Sequence, residues 1–294
     1  MTVALSTGLF APHVLVPPTP GPLAAAASLD LKNIFLLFIS GGMLAFVLAL
    51  IGSFYSEKFI YKTKAITKEK LKVLVSEYKE KKTFSFYRAS SPIWAPIFLM
   101  SINQVVPAKI NFITSPACAL FIGAILSIYL AVKNINFKKL LIISLRQSLP
   151  IIGITGMGGA LGQIIKNMDV ISWFKNIDGF NSLGIIIPFL IAASIKTAQG
   201  SSTVAIITSA SIIYPMLSVF GLENELGKTL AILSIGIGSM TVSHANDSYF
   251  WIVSQFSGMS ISTTYKTHTI ATLIQGISGI LILLIAFKII LFMQ

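Results

Sequence analysis

This sequence predicts an all-α, polytopic transmembrane protein with broken helices and a re-entrant hairpin, and three observations carry that prediction. Of 294 residues, 54% are hydrophobic and only 11% charged, with a mean hydropathy of +0.83. A soluble domain carries about 25% charged residues, so this chain cannot coat itself with a polar surface. The apolar residues also come in blocks: Ile34–Phe54, Ile113–Val132, Ser201–Phe220 and Ile270–Phe287 contain no Asp, Glu, Lys or Arg. Crossing a hydrocarbon layer about 30 Å thick takes about 20 helical residues, and each block is close to that. Finally, the alternation of a membrane β-barrel is absent.

The first segment, Thr2–Leu29, is apolar but interrupted by Pro17, Pro18, Pro20 and Pro22. Proline lacks an N–H and clashes one turn back, so no helix continues through them. With no charged residue on either side to draw the break into water, a broken helix is expected. Ile34–Phe54 is an ordinary span. Ser56–Ser90 holds ten of the 22 cations and four acids and reads as a charged loop, helical in part around Thr67–Lys82. Pro92–Ala108 and Ile113–Val132 form an up-down pair that returns the chain to the same side. There Lys133, Lys138, Lys139 and Arg146 make a second basic cluster. Two clusters agreeing on one side mark it as cytoplasmic.

Lys138, Lys139 and Arg146 fall within about 100° on a helical wheel, which predicts a short helix along the interface. Ile151–Ile165 carries Gly153, Gly156, Gly158, Gly159 and Gly162. That glycine density predicts a re-entrant hairpin. Two long apolar segments follow, Leu183–Phe220 and Leu230–Phe256, each with a polar interruption, and Ile270–Phe287 closes the chain.

The net charge of +12 could suggest nucleic acid, but cations placed between apolar spans are what membrane topology produces. Cys118 is the sole cysteine and reads as a small buried hydrophobe, without disulfide or metal role. No Lys or Arg precedes Lys32, so the cationic start of a secretory signal is lacking. No G-x-x-x-x-G-K-[ST] loop supports ATP-driven pumping, and no cofactor is expected.

An ionisable residue inside a membrane segment is costly and by default functional. Lys196, His244, Asp247 and His13 are the candidates. In Lys196–Thr203, Gly200 followed by three hydroxyl residues reads as a helix break and restart, with Ser201 or Ser202 as N-cap. A restarted helix offers unpaired N–H groups and partial positive charge to a carboxylate. Lys196, one turn earlier, would add a full charge. Such discontinuous helices at the midplane hold anions in secondary transporters. In Ser243–Ser248, helical spacing would put Ser243, His244 and Asp247 on one face, a titratable imidazole beside a carboxylate. A Ser-His-Asp hydrolase is disfavoured, because triads gather residues from separate elements.

The stretches Leu15–Pro22, Ala198–Ala205 and Ser243–Trp251, with the Gly158–Gln163 run, together resemble the gluconate permease family over essentially the whole chain. The resemblance implies a proton-driven symporter for gluconate or a related hydroxy acid in the bacterial inner membrane, multi-pass, within a superfamily built from two inverted repeats. It implies that Gln199, Gly200, Ser201, Ser202 and Thr203 line the substrate site, with Lys196 basic beside them. It further implies that Asn246 and Ser248 share that cavity, that His244 or Asp247 couples the proton, and that His13 and Thr19 face it from the first repeat. Residues 1–55 would then be the end of a first repeat and the following span, 56–90 a cytoplasmic basic loop, and 91–294 the second repeat. Family members are longer, so most of the first repeat is expected to be missing. A non-transporting remnant, or a subunit whose homodimer or partner chain supplies that repeat, is the competing expectation. Tyr249 stands where the family usually has a small residue, which would narrow the cavity. Pro12 is also unusual and would tilt the half-helix carrying His13.

Overall fold

The computed structural model describes residues 1–59, 85–102, 111–130, 137–167 and 184–293. The helix expected around Thr67–Lys82 lies outside these. The chain divides into two compact units, one comprising Met1–Lys62 with Leu149–Gln294 and the other Thr63–Ser148. Among the described residues the regular elements are all helical, as the composition predicts.

In the first unit, α1 (Thr2–Leu15) and α2 (Pro20–Ser28) are the halves of a helix broken at Val16–Thr19. Pro20 opens α2 at its first position, where a missing N–H costs nothing. Pro12 is accommodated inside α1. α3 (Ile34–Phe59) follows. Its start is pinned by Glu225, whose Oε2 accepts from the backbone N–H groups of Lys32 at 3.0 Å and Asn33 at 2.8 Å. α1 and α3 approach closely because Gly41 and Gly52 of α3 face Leu15 and Thr7. Without a solvent-driven hydrophobic force, helices in lipid associate through such small-residue contacts.

The second unit packs α4 (Phe86–Ile102) against α6 (Pro116–Leu130), joined through the single turn α5 (Asn111–Thr114). Gly123 lies against Pro96 and the Pro92 carbonyl. This is the helix pair expected over Pro92–Val132.

α7 runs unbroken from Phe137 to Asn167, and this corrects two expectations. The interfacial segment Lys138–Arg146 is not a separate short helix but its first part. The re-entrant hairpin expected over Ile151–Ile165 is not formed, since the glycines lie within continuous helix. Glycine permits a turn without requiring one, and a helix satisfies its own backbone in an apolar setting.

The remaining elements belong to the first unit. α8 (Ile186–Gln199) and α9 (Ser202–Ile213) form a second broken helix. A 3-10 turn over Tyr214–Met216 follows. α10 (Glu225–Met240) is buried along nearly its whole length and is the centre of the unit. α11 (Ser248–Ser257) and the short α12 (Ile261–Thr264) lead through a π turn, Tyr265–Thr269, into α13 (Ile270–Met293). Two stretches among the described residues are long and apolar enough to cross a membrane unaided: Ile34–Lys58, with mean hydropathy 2.7, and Ile261–Ile289, with 2.4.

Candidate functional site

The break between α8 and α9 is made by two residues. Gly200 has φ +87° and caps α8, its N–H donating to the Lys196 carbonyl at 2.8 Å. The left-handed conformation favours glycine. Here a side chain is excluded twice over, because a Cβ would collide with the Asn246 carbonyl. Of the two serines expected to cap α9, it is Ser201 that does so, accepting from the Val204 N–H at 3.3 Å.

The Ser243–Ser248 stretch corrects another expectation. It is not helical: α10 ends at Met240 and α11 begins at Ser248, so Thr241–Asp247 crosses between them as irregular chain. Two local choices cause this. Asp247 is the N-cap of α11, its Oδ1 accepting from the Tyr249 N–H at 2.9 Å. Val242 sits at φ +58°, a conformation that costs a β-branched residue about 1–3 kcal/mol and occurs where surroundings enforce it. Those surroundings are visible. Side chains satisfy the crossing's backbone: Thr272 Oγ1 accepts from the Ser243 N–H, Thr269 Oγ1 donates to the Ser243 carbonyl, and Trp251 Nε1 donates to the Ala245 carbonyl. Irregular backbone at membrane depth needs such internal partners.

The two breaks are tied by a buried ion pair. Lys196, 1% exposed, places Nζ 2.6 Å from Asp247 Oδ2 and donates to the Gly200 carbonyl at 2.6 Å. Ser243 Oγ donates to the same Asp247 oxygen at 2.6 Å. Lys196 therefore faces Asp247 rather than offering an unbalanced charge to an anion. His244 does not share a face with Asp247. Its Nδ1 accepts from the Asn246 N–H at 3.4 Å.

In front of the pair lies a cavity of ≈ 360 Å³ lined by Leu9, Phe10, His13, Ser201, Ser202, Thr203, Asp247, Ser248, Tyr249 and Ile252. Five residues named from the sequence (His13, Ser201, Ser202, Thr203 and Ser248) meet there with Asp247. The N-termini of α9 and α11 both open onto it, bringing first-turn N–H groups and two positive helix ends together. Other predicted site residues lie elsewhere. Asn246 donates to the Thr197 carbonyl at 2.6 Å, and Gln199 to the Ser201 carbonyl at 3.0 Å. Both brace the break. Thr19 donates to the Val16 carbonyl at 2.6 Å, within the first break. Tyr249 lines the cavity: its ring lies 4.9 Å from that of Phe10, and its hydroxyl donates to the Ser6 carbonyl at 2.8 Å.

Sequence reading missed His268. It is fully buried in the π turn, with Nδ1 3.2 Å from Ser6 Oγ and Nε2 3.3 Å from Ser243 Oγ. Its polar neighbours, Tyr265, Lys266, Thr267 and Thr269, make the stretch look like a loop. The available signal was its place immediately before an uncharged span.

The family described as GntP family permease matches residues 1–290. The chain is 30% identical to a gluconate permease of Pseudomonas aeruginosa, over 96% of this chain and 66% of that protein. It is 24% identical to the Gnt-II system L-idonate transporter of Escherichia coli, over 95% and 66%, and 25% identical to the D-serine transporter DsdX of the same organism, over 94% and 65%. The chain thus spans slightly less than two thirds of the length of these relatives. No solved structure matches it.

Proposed function

This chain belongs to the GntP permease family, and from that premise we propose that it carries the substrate site of a secondary transporter that brings gluconate or a related small hydroxy acid into the cell with a proton. The observation that carries this reading is the cavity where the N-termini of α9 and α11 converge. A helix N-terminus is a ready site for a carboxylate, and two such ends place two partial positive charges on one small volume. The relatives are named for gluconate, L-idonate and D-serine. These share a carboxylate and a polar substituent on the adjacent carbon. Ser202, Thr203 and Ser248 supply hydroxyls of the right kind to read that substituent. Phe10, Tyr249 and Ile252 form the apolar wall, as is usual for small-molecule sites.

The proton is supported by charge balance. Lys196 and Asp247 neutralise each other, so a bound carboxylate adds a net negative charge to a poorly solvated place. Charge there is expensive, and a proton entering with the anion removes the cost. Asp247, which both lines the cavity and joins the ion pair, is the entry point we assign to it. We place the protein in the bacterial inner membrane as a multi-pass chain, with 56–90 cytoplasmic, residues 1–55 ending one transporter repeat and 91–294 forming another.

The test is uptake of radiolabelled gluconate into proteoliposomes holding this chain, with and without an inward proton gradient. Accumulation above equilibrium under the gradient, abolished in Asp247→Asn, is the expected result. Simple equilibration in both conditions would overturn coupling, and no gluconate-specific uptake by folded protein would overturn the substrate. Unlabelled idonate and D-serine as competitors then rank the carboxylates.

A further inference from the structure

Behind the cavity, hydrogen-bonding side chains continue from Asp247 into the protein without interruption. Asp247 Oδ2 meets Ser243 Oγ at 2.6 Å, Ser243 Oγ meets His268 Nε2 at 3.3 Å, and His268 Nδ1 meets Ser6 Oγ at 3.2 Å. Ser6 Oγ in turn lies 2.9 Å from the Val3 carbonyl. Ser243 and His268 are fully buried, and Asp247 and Ser6 nearly so. Resting on the proposed function above, we propose that His268 holds the co-transported proton, passed to it from Asp247 through the Ser243 hydroxyl.

The hydrogens along this series of side chains balance in two states. Consider first a protonated Asp247 and a neutral His268 carrying its hydrogen on Nδ1. The carboxyl donates to Ser243 Oγ, Ser243 donates to His268 Nε2, His268 Nδ1–H donates to Ser6 Oγ, and Ser6 donates to the Val3 carbonyl. Now let Ser243 give its proton to Nε2 while taking the carboxyl proton. Asp247 becomes a carboxylate accepting from Ser243, and His268 becomes an imidazolium donating to both serines, as only that form can. The two O–H bonds broken are matched by one new O–H bond on Ser243 and one new N–H bond on His268. Each heavy-atom distance serves both states, and none of these groups is left unpaired in either. Buried polar groups that stay satisfied through a proton transfer avoid the cost of an unmade hydrogen bond.

The surroundings fit this role. From α11 the Tyr249 ring meets the imidazole edge-on at a centroid distance of 5.6 Å. From α8, Lys196 stands behind Asp247 and is balanced by it. α1 presents Ser6, and the α13 residues packed nearby, Thr272 and Gln275, are not ionisable. On its own turn, Tyr265 is directed to the Ala245 N–H and Lys266 is exposed. His13 faces the cavity and His244 bonds its own loop. With Lys196 and Asp247 neutralising each other, the imidazolium would supply the positive charge that matches an arriving carboxylate.

The experiment compares wild type, His268→Gln and His244→Gln in gluconate-loaded and empty proteoliposomes. Gln can donate and accept at the two ring-nitrogen positions but cannot carry the proton. One proton per gluconate supports about tenfold accumulation for each pH unit of gradient. We expect His268→Gln to lose that accumulation while exchanging labelled for unlabelled gluconate within about threefold of wild type, a range of under 1 kcal/mol. His244→Gln should retain both. Accumulation by His268→Gln at the wild-type level overturns the proposal, as does equal loss of accumulation and exchange in folded protein. A readout that needs no transport separates this from failure of the gluconate reading. Nitrogen NMR of ring-labelled histidine in detergent, assigned with the two variants, should show His268 gaining a proton as the pH is lowered. A His268 ring that never takes up a second proton while the protein stays folded sinks the proposal, whatever the substrate proves to be.

Discussion

The first unit contains two helix breaks of similar position in their helices and opposite construction. Between α1 and α2 the chain is turned by prolines: Pro17 and Pro18 lie in the break and Pro20 opens the next helix. Between α8 and α9 it is turned by Gly200 at positive φ and a Ser201 cap. Proline breaks a helix by denying it a donor, and at the first break Thr19 bonds its own loop, donating to the Val16 carbonyl. Glycine breaks a helix by removing bulk, so the second lets a neighbouring loop approach until the Asn246 carbonyl occupies the place of a Cβ. That approach brings Asp247 to Lys196. The proline break shapes the chain, whereas the glycine break assembles a charged site.

The sharpest way to break this comparison is to remove one charge. Lys196→Met leaves the Asp247 carboxylate buried without its cation, and loss of one partner of a buried pair costs roughly 3–5 kcal/mol. The double variant Lys196→Met, Asp247→Asn should regain much of that, measured by unfolding in mixed detergent micelles. A double variant as unstable as the sum of its singles would show that the pair is not the joint between the α8–α9 break and the Thr241–Asp247 crossing.

The backbone contrast comes next. Gly200→Val meets both the strained φ and the Asn246 carbonyl, and should cost more than about 2 kcal/mol. Pro20→Ala acts chiefly through the unfolded chain and should cost only about 0.4–1 kcal/mol. Equal losses in the same unfolding assay would contradict the difference in construction.

The smallest effect tests function. Ser201→Ala removes an N-cap worth about 1 kcal/mol from a helix that opens onto the cavity, and should raise the gluconate concentration for half-maximal uptake about fivefold. Thr19→Ala, outside the cavity lining, should leave it within about twofold of wild type, a change of under half a kcal/mol. A Thr19 effect as large as that of Ser201 would bring the first break into the site.

Much of this was legible in the residues. The Pro17–Pro22 run and the Gly200–Thr203 run each announced a break, because proline and glycine act on the backbone they occupy. A serine cap directly after Gly200 followed from the same local chemistry. Ile151–Ile165 misled for the complementary reason: its glycines permit a turn, and nothing local decides between turn and helix. Ser243–Asp247 misled because helical spacing was applied to a segment whose conformation is imposed by Thr269, Thr272 and Trp251, residues on other elements.

By itself, then, the sequence determined the solvent, the all-helical class, the two breaks and a serine cap after Gly200. Each is a property of residues near one another along the chain: hydropathy over a span, a missing N–H, a hydroxyl beside a helix start. Only the tertiary structure decided which charge faces which. Lys196 meets Asp247 across 51 positions, and His268 joins Ser6 across 262. Pairings at that separation depend on how α1, α8, α10 and the π turn pack, and no local spacing encodes them.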